Sequence, residues 1–264
     1  MTPSSSIQLE KATNKKVKSI LISQPKPELK SPYYQLVEKY GLQIDFREFT
    51  QVAAVGAKEV RRQKVNPAEF NCIILSSKNA VDHFFRCCEE MRIKMSPETK
   101  YFCLTESIAN YLQKFIVYRK RKVFVGTKTV EDLKNYFIKH RDKEVFLLPC
   151  SNLGAKDVSS FLKENNVRFQ EVVMYETVSS DLSDLSDITY DILVFFGPQA
   201  IKSLFDNFPD FKQNETRIAV FGKSTANAVI EKGLTINIEA PLPDVPSMPI
   251  ALEKYILVSN KEDK

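Results

Sequence analysis

The sequence predicts an α/β protein made of two domains, each built around a parallel sheet. Short apolar runs of four to six residues alternate with helical segments of about ten, which is the pattern of successive βαβ units. Two stretches of the chain also recur in the same order further along it. The composition, with 43% apolar and 27% charged residues among 264, is that of a globular protein with one large or two small domains.

The predicted elements follow in order along the chain. Residues 1–16 are rich in Ser, Lys and Asn and are expected to form a flexible lead-in. Val17–Ile22 is predicted as a buried strand and Tyr33–Tyr40 as a helix with Gly41 as its cap. The further predicted strands are Cys72–Leu75, Tyr101–Leu104, Val123–Val125, Val145–Leu148, Phe169–Met174, Ile192–Phe196, Ile218–Phe221 and Ile236–Ile238. The further predicted helices are Ala80–Met91, Val130–Lys139, Val158–Asn165, Ala200–Phe208, Thr225–Lys232 and a last one capped by Ser247.

The internal repeat supports two domains. Ile73–Val81 is similar to Leu193–Ile201, and Thr105–Leu112 is similar to Gly222–Val229. The two offsets, 120 and 117 residues, are nearly equal. Two matches in one order and at one spacing indicate two α/β domains of similar build. A single large sheet with accidental matches is the alternative.

Composition excludes several classes of protein. The longest nearly uncharged stretch, Ile192–Ile201, has half the length that a transmembrane helix needs, and neither a membrane span nor a secretory signal peptide is expected. Five Cys without paired spacing indicate reduced thiols and a cytoplasmic protein. Two His and no CxxC argue against a zinc site. The net charge of +5 weakly favours anionic partners. The basic run Arg119–Lys122 is interpreted as a solvated loop, with a nucleic-acid contact as the weaker alternative.

Candidate binding residues follow the predicted strands. Ligands of a parallel sheet bind beyond the carboxyl ends of its strands, and a helix N-terminus there suits a carboxylate or phosphate. Ser, Thr and Asn also cap helices without any ligand, so both interpretations stay open. His83 is interpreted as a packing or surface residue and Cys150 as an inert thiol. Five loops lead from a strand into a helix: Ser76–Asn79, Thr105–Ser107, Pro149–Asn152, Phe196–Gln199 and Gly222–Thr225.

Several of these segments together resemble the uroporphyrinogen-III synthase family. Val220–Ala228 is similar to its Gly-x-x-Thr-Ala segment, and Val173–Thr177 to its Tyr-x-Thr. Leu75–Val81 is similar to its Thr-Ser-x-x-Ala-Val, and Leu148–Asn152 to a Pro-Cys-Gly-Asn variant. Ala240–Leu252 is similar to its closing Pro-rich loop and helix. The order of the motifs is kept from about Lys18 to Ile256.

The chain departs from the family pattern at three places. Ser23–Pro25 stands where many members have Thr-Arg-Pro, and Gly197–Gln199 where they have Ser-Pro-Ser. Thr105–Ala109 lacks the Gly and Thr of the first Gly-x-x-Thr-Ala equivalent. Hydroxyl groups are therefore lost from two loops that the family uses.

The resemblance implies two flavodoxin-like domains with parallel sheets, joined by two extended crossover segments near 49–53 and 175–179. The first domain would take residues 17–48 and 178–258, and the second residues 49–177. The strand that contains Leu21 would then share a sheet with Val194 and Phe195 rather than with Leu75. An active cleft between the domains is the corresponding expectation for the site.

The implied activity is that of a cofactor-independent lyase of haem biosynthesis. It would close hydroxymethylbilane, a linear tetrapyrrole with eight carboxylates, to uroporphyrinogen III, with loss of water and inversion of the D ring. Tyr175 is the expected catalytic donor, since a phenol of pKa near 10 is protonated at neutral pH. A boundary tyrosine that only packs at the crossing is the alternative interpretation. No metal or cofactor is implied. The expected substrate-binding residues are Ser76, Ser77, Asn79, Ser151, Asn152, Gly197, Pro198, Gln199, Gly222, Lys223, Ser224 and Thr225.

The expected partners are the substrate and, by transient contact, the preceding enzyme, hydroxymethylbilane synthase. A cytoplasmic monomer without nucleic-acid or membrane partners is expected. A catalytically weakened protein of the same fold, which binds a tetrapyrrole or another polyanion, is the alternative function.

Overall fold

Two sheets make up the computed structural model, which describes residues 15–260. The predicted lead-in lies outside that range, apart from its last two residues. The strands are β1 (Ser19–Ile22), β2 (Gln43–Phe46), β3 (Thr50–Ala54), β4 (Cys72–Leu75), β5 (Lys100–Cys103), β6 (Val123–Val125), β7 (Phe146–Ser151), β8 (Phe169–Ser179), β9 (Ile192–Phe195), β10 (Arg217–Phe221) and β11 (Ile236–Ala240). The α-helices are α1 (Pro32–Tyr40), α2 (Ala57–Arg62), α3 (Lys78–Glu90), α4 (Glu106–Leu112), α5 (Lys134–His140), α6 (Lys156–Glu164), α7 (Pro198–Asn207), α8 (Lys223–Glu231) and α9 (Met248–Ser259). Three short 3-10 helices cover Pro67–Glu69, Val130–Leu133 and Ser183–Leu185.

The strands form one sheet of five and one of six within the described residues. The first sheet has the order β11-β10-β9-β1-β2 and the second the order β3-β8-β7-β4-β5-β6. All neighbours in the first sheet run parallel, with Leu21 opposite Leu193 and Ile22 opposite Val194. The pairs from β8 to β6 in the second sheet are parallel as well. The predicted α/β class with two parallel sheets is therefore confirmed, and β1 shares its sheet with β9 and not with β4.

The chain divides into two compact units. Unit 1 contains the described residues up to Gln51 and those from Val178 onward, and unit 2 contains Val52–Thr177. Both changes of unit fall inside a strand, β3 for the first and β8 for the second. Two changes of unit make unit 1 discontinuous in sequence and leave unit 2 as one continuous segment.

Each sheet is covered by an apolar cluster on both faces. In unit 1, Ile20 and Ile22 pack into one cluster and Leu21 into the other. In unit 2, Ile73 and Leu75 belong to one cluster and Ile74 to the other. Alternate residues of a strand point to opposite faces, so a strand covered on both sides is apolar throughout. That requirement explains why continuous apolar runs mark these strands in the sequence.

Differences from the predicted elements have local causes. The predicted helix Val130–Lys139 begins with a 3-10 turn before α5, and the Asp132 carboxylate accepts hydrogen bonds from the backbone N–H groups of 127, 128 and 129 ahead of it. Strand β8 continues past Met174 to Ser179, although its last residues form no apolar run. Helix α2 was not predicted, because Val60 is its one buried residue. Gly41 ends α1 in the left-handed conformation, as predicted, with a φ of 63°.

An aromatic cluster in unit 2 gives a test of its core. The Phe102 ring is fully buried, and its centroid lies 4.8 Å from that of Phe124, 5.2 Å from that of Phe137 and 5.0 Å from that of Phe146. Phe102→Ala is expected to lower the free energy of unfolding by about 3–5 kcal/mol, because truncation loses buried area and leaves a cavity. Val117→Ala, at a residue 84% exposed, is the control. Equal denaturant midpoints for the two variants would contradict this core.

Candidate functional site

In unit 1, the predicted site residues follow two neighbouring strands. Gly197 lies after β9 and is the N-cap of α7, and Gly222 directly follows β10 and is the N-cap of α8. The two helices pack against each other, and the rings of Phe196 and Phe221, which directly precede the two glycines, stack with centroids 5.6 Å apart. Parallel neighbours end at the same edge of a sheet, and the two loops therefore lie side by side.

The glycine caps leave the first turns of α7 and α8 without a side-chain partner. Neither N-cap makes a side-chain hydrogen bond to its helix. The backbone N–H groups of a first helical turn have no partner within the helix and carry a partial positive charge. Gln199 is half-buried, whereas Pro198, Lys223 and Ser224 are exposed. These helix ends can accept carboxylate groups at the edge where the strands end.

Thr225 is placed differently from the other predicted residues of unit 1. Its side chain is fully buried, and its hydroxyl donates a hydrogen bond to the Phe221 carbonyl at 2.9 Å. The hydroxyl therefore ties the first turn of α8 to the end of β10. In this position it supports the loop from within.

In unit 2, the predicted residues follow β4 and β7, which are neighbours in the sheet. Ser77 is the N-cap of α3, and its Oγ accepts a hydrogen bond from the Ala80 N–H at 3.0 Å. Ser76 is half-buried and Asn79 is exposed. Ser151 is half-buried, and its Oγ accepts a hydrogen bond from the Leu153 N–H at 3.3 Å. Each serine hydroxyl therefore accepts a hydrogen bond from the backbone of its own loop.

The structure brings Tyr175 together with Ser77 and Asn152. The Tyr175 phenol oxygen lies 3.3 Å from Ser77 Oγ. On the backbone, the Asn152 N–H donates to the Tyr175 carbonyl at 3.1 Å, and Asn152 Oδ1 accepts from the Thr177 N–H at 2.9 Å. Two residues that were predicted from separate motifs therefore contact Tyr175, Ser77 at the phenol oxygen and Asn152 at the backbone. Tyr175 is itself only 8% exposed.

Burial sets the charge state of the phenol. It raises the pKa of Tyr175 above its ordinary value near 10, and the hydrogen bond with Ser77 lowers it by less. Tyr175 is therefore a neutral hydrogen-bond donor throughout the physiological range. Cys150, on the neighbouring strand, is buried as well, and burial raises the pKa of its thiol to about 11. Its protonated form agrees with the interpretation as an inert thiol.

One contact to the phenol was missed at the sequence level. The His83 imidazole stacks on the Tyr175 ring, with centroids 5.0 Å apart and an angle of 17° between the planes. His83 stands on α3, six residues after Ser77, but its partner is 92 residues away in the chain. The position of His83 on the helix that Ser77 caps was the available signal. Packing is thus confirmed for His83, and the surface that it packs against is the phenol.

A cavity of about 780 Å³ in unit 1 contains none of the predicted site residues. It is lined by Tyr190 and Asp191 before β9 and by Thr216 before β10, together with Phe208 and other residues. These positions lie at the amino ends of the strands. The candidate site lies at the opposite, carboxyl ends, where ligands of parallel sheets bind.

No group of three or more His, Cys, Asp or Glu side chains between 15 and 260 is arranged to hold a metal ion. Each helix in the same range is too short or too polar to cross a lipid bilayer.

The fold and the site define a two-unit α/β protein with polar loops and helix N-termini where its parallel strands end. The family model described as uroporphyrinogen-III synthase HemD matches residues 31–249. The chain therefore belongs to the uroporphyrinogen-III synthase family, whose function lies in porphyrin and haem biosynthesis. The family favours this function over the non-catalytic alternative.

Solved structures of the family share the fold. Uroporphyrinogen-III synthetase from Helicobacter pylori is 19% identical with a TM-score of 0.56, over 91% of this chain and 99% of that one. A mutant uroporphyrinogen III synthase from Thermus thermophilus is 15% identical with a TM-score of 0.51, over 93% of this chain and 100% of that one. The comparison with curated proteins gives no match.

The two glycine caps provide a matched test of the loops in unit 1. Gly222 has a φ of 86° and a ψ of 151°, a backbone conformation that is almost restricted to glycine, whereas Gly197 has an extended φ of −168°. Neither position has an atom within 4 Å of an added Cβ, so only backbone strain separates them. Gly222→Ala is expected to lower the free energy of unfolding by roughly 1–3 kcal/mol, and Gly197→Ala to leave it nearly unchanged. Equal losses in denaturant unfolding would contradict the conformation assigned to Gly222.

Proposed function

We propose that this chain closes hydroxymethylbilane to uroporphyrinogen III with loss of water and inversion of the D ring, and that Tyr175 donates a hydrogen bond to the departing hydroxyl. One observation carries the assignment of Tyr175. It is a buried phenol, held at its oxygen by Ser77 and on its backbone by Asn152, among the loops that the family motifs mark. An acidic donor in a fixed position is what the loss of a hydroxyl requires.

The hydrogen bonds around Ser77 leave the phenol proton available. Ser77 Oγ already accepts a hydrogen bond from the Ala80 N–H. Its own hydroxyl proton can then be donated to the Tyr175 oxygen, 3.3 Å away. In that arrangement the phenol O–H is free to donate to a substrate oxygen. We propose this direction for the pair, because it uses the donor and the acceptor capacity of both hydroxyls.

The electrons for the step come from the substrate. An electron pair of the pyrrole ring expels the hydroxyl, the C–O bond breaks, and the hydroxyl leaves with a proton as water. Full transfer of the proton from Tyr175 would create a buried phenolate, which the raised pKa disfavours. Tyr175 therefore stabilises the charge that develops on the leaving oxygen, and a proton from solvent completes the water. Closure of the resulting substrate cation forms the new C–C bond and releases a proton, so that the reaction consumes no net proton. The proposed reaction class is a hydro-lyase that needs no cofactor.

The carboxylates of the substrate are the proposed ligands of the helix N-termini. The substrate carries eight of them, and the chain carries a net charge of +5. Helices α7 and α8 begin on glycines without a side-chain cap. Pro198 has no N–H, and the N–H groups of Ala200 and Thr225 donate to the carbonyls of Gly197 and Gly222. The N–H groups proposed to receive an anion are therefore those of Gln199, Lys223 and Ser224. The residues proposed to bind substrate directly or to shape these loops are Ser76, Ser77, Asn79, Ser151, Asn152, Gly197, Pro198, Gln199, Gly222, Lys223, Ser224 and Thr225.

We also propose a cytoplasmic monomer that takes its substrate from hydroxymethylbilane synthase by transient contact. Hydroxymethylbilane closes spontaneously to isomer I, and a rapid handover would limit that loss. The five cysteines, all buried and unpaired, suit a reducing compartment. The proposed chemical groups all belong to one chain, which is consistent with action as a monomer.

Product analysis tests the proposed function. The wild-type protein is incubated with freshly prepared hydroxymethylbilane, and isomers I and III are separated and quantified after oxidation to the porphyrins. Isomer III is expected to predominate. Isomer I alone, formed at the rate of a protein-free control, would overturn the synthase proposal and favour a tetrapyrrole- or polyanion-binding protein of the same fold.

Removal of the phenol oxygen tests the role of Tyr175. Tyr175→Phe is expected to lower kcat by about 100-fold or less, the low end of what general acid assistance provides, because the pyrrole supplies most of the driving force. The product should remain mainly isomer III, since the substrate is still folded correctly. An unchanged kcat would leave the proposed synthase activity in place and contradict the proposed role of Tyr175.

The raised pKa of Tyr175 predicts the pH dependence of that effect. The phenol loses its proton only as the pH rises through a value above 10, so the donor is fully present at lower pH. The ratio of wild-type to Tyr175→Phe rates is therefore expected to stay constant between pH 7 and 9. A ratio that falls steadily over this range would mean that the phenol ionises there, against the burial effect.

A further inference from the structure

Two side chains of α3 contact Tyr175 or the residue before it, His83 at the ring and Arg86 at the backbone. The His83 imidazole stacks on the phenol ring, with centroids 5.0 Å apart. The Arg86 guanidinium donates from Nη2 to the Met174 carbonyl at 3.0 Å and to the Val55 carbonyl at 2.8 Å. Met174 directly precedes Tyr175, so this helix reaches the tyrosine at both its ring and its peptide.

Arg86 also determines the state of the imidazole. Its Nε–H donates to His83 Nδ1 at 3.3 Å, and a nitrogen that accepts a hydrogen bond carries no proton. The ring proton then resides on Nε2, and the imidazole is neutral. Burial lowers the pKa of His83, and the positive charge of Arg86 lowers it further. Glu90, one turn along α3, pairs with Arg86 Nη1 and holds the guanidinium in place.

We propose that His83 is a positioning residue for Tyr175, with Arg86 holding the imidazole in the orientation that this requires. The proposal rests on the proposed function, in which the phenol O–H donates to the substrate. A phenol that is tied at its oxygen by a single hydrogen bond of 3.3 Å still rotates about its side-chain bonds. A flat neutral ring against its face removes that freedom and keeps water from the same side.

The stack and the imidazole nitrogens can be separated by substitution. His83→Phe keeps a flat ring against the phenol, whereas His83→Ala removes it. His140 offers a matched control, because it is the other histidine of the chain, is half-buried, and packs edge-on against Phe102, with centroids 6.1 Å apart. His140→Ala removes a comparable aromatic contact from the same unit without touching Tyr175.

Kinetics in two backgrounds give the first readout. His83→Ala is expected to lower kcat about tenfold, with KM nearly unchanged, whereas His83→Phe should keep kcat within about threefold of wild type. In the Tyr175→Phe background, His83→Ala should cause no further loss of kcat, because the phenol that it positions is absent. Equal losses of kcat in both backgrounds, or no loss in either, would overturn the proposal.

The second readout needs no turnover. Proteins labelled with ¹³C at the tyrosine ring carbon that bears the oxygen are compared by NMR, and the Tyr175 signal is assigned from its absence in Tyr175→Phe. His83→Ala is expected to shift that signal and to lower the pKa of Tyr175, because solvent reaches the ring. His83→Phe and His140→Ala should leave both nearly unchanged. An unaltered Tyr175 signal and pKa in His83→Ala would overturn the proposal, even if the wild-type protein formed no isomer III and the proposed function had failed.

Discussion

The parallel direction of the strands is the constraint on which the rest of this structure depends. A parallel sheet sends the connection between two of its strands back over a face of the sheet, and its strands therefore end at one edge, where most of them lead into the start of a helix. In unit 1 this brings Gly197 and Gly222 side by side at the ends of β9 and β10. In unit 2 it brings Ser77 and Ser151 to the edge where Tyr175 lies. The order of the strands in each sheet thus makes neighbours of polar loops that are far apart in the chain.

Burial gives the one phenol among these loops its chemistry. The side chain of a tyrosine in water rotates freely and ionises near pH 10. Here the ring packs against α3, and burial raises the pKa of the phenol. Ser77 and His83 contact the side chain of Tyr175, and Arg86 contacts the peptide that precedes it. All three residues belong to α3 or its N-cap. The same low polarity that keeps the phenol neutral also strengthens each hydrogen bond that it makes. Helix α3 therefore acts as the support of the candidate site as well as part of the core.

The sequence predicts the strands that are buried on both faces of a sheet. It does not predict the contacts between residues that are distant in the chain. Cys72–Leu75 and Val123–Val125 were predicted residue for residue, because a doubly covered strand is apolar throughout. The continuation of β8 beyond Met174 was missed because residues 176–179 are exposed or only half-buried and form no apolar run. The stack of His83 on Tyr175 depends on the packing of segments that are distant in the chain. No local spacing reports such packing.

The most direct test of this account is where the carboxylates of the tetrapyrrole bind. Backbone amide signals of the protein are assigned by NMR and followed while uroporphyrinogen III is added under anaerobic conditions. The account predicts the largest shifts at the amides that begin the helices, those of Gln199, Lys223 and Ser224, and in the loop after β4. Shifts confined to Asp191 and Thr216, at the cavity where the strands begin, with those helix ends unaffected, would contradict it.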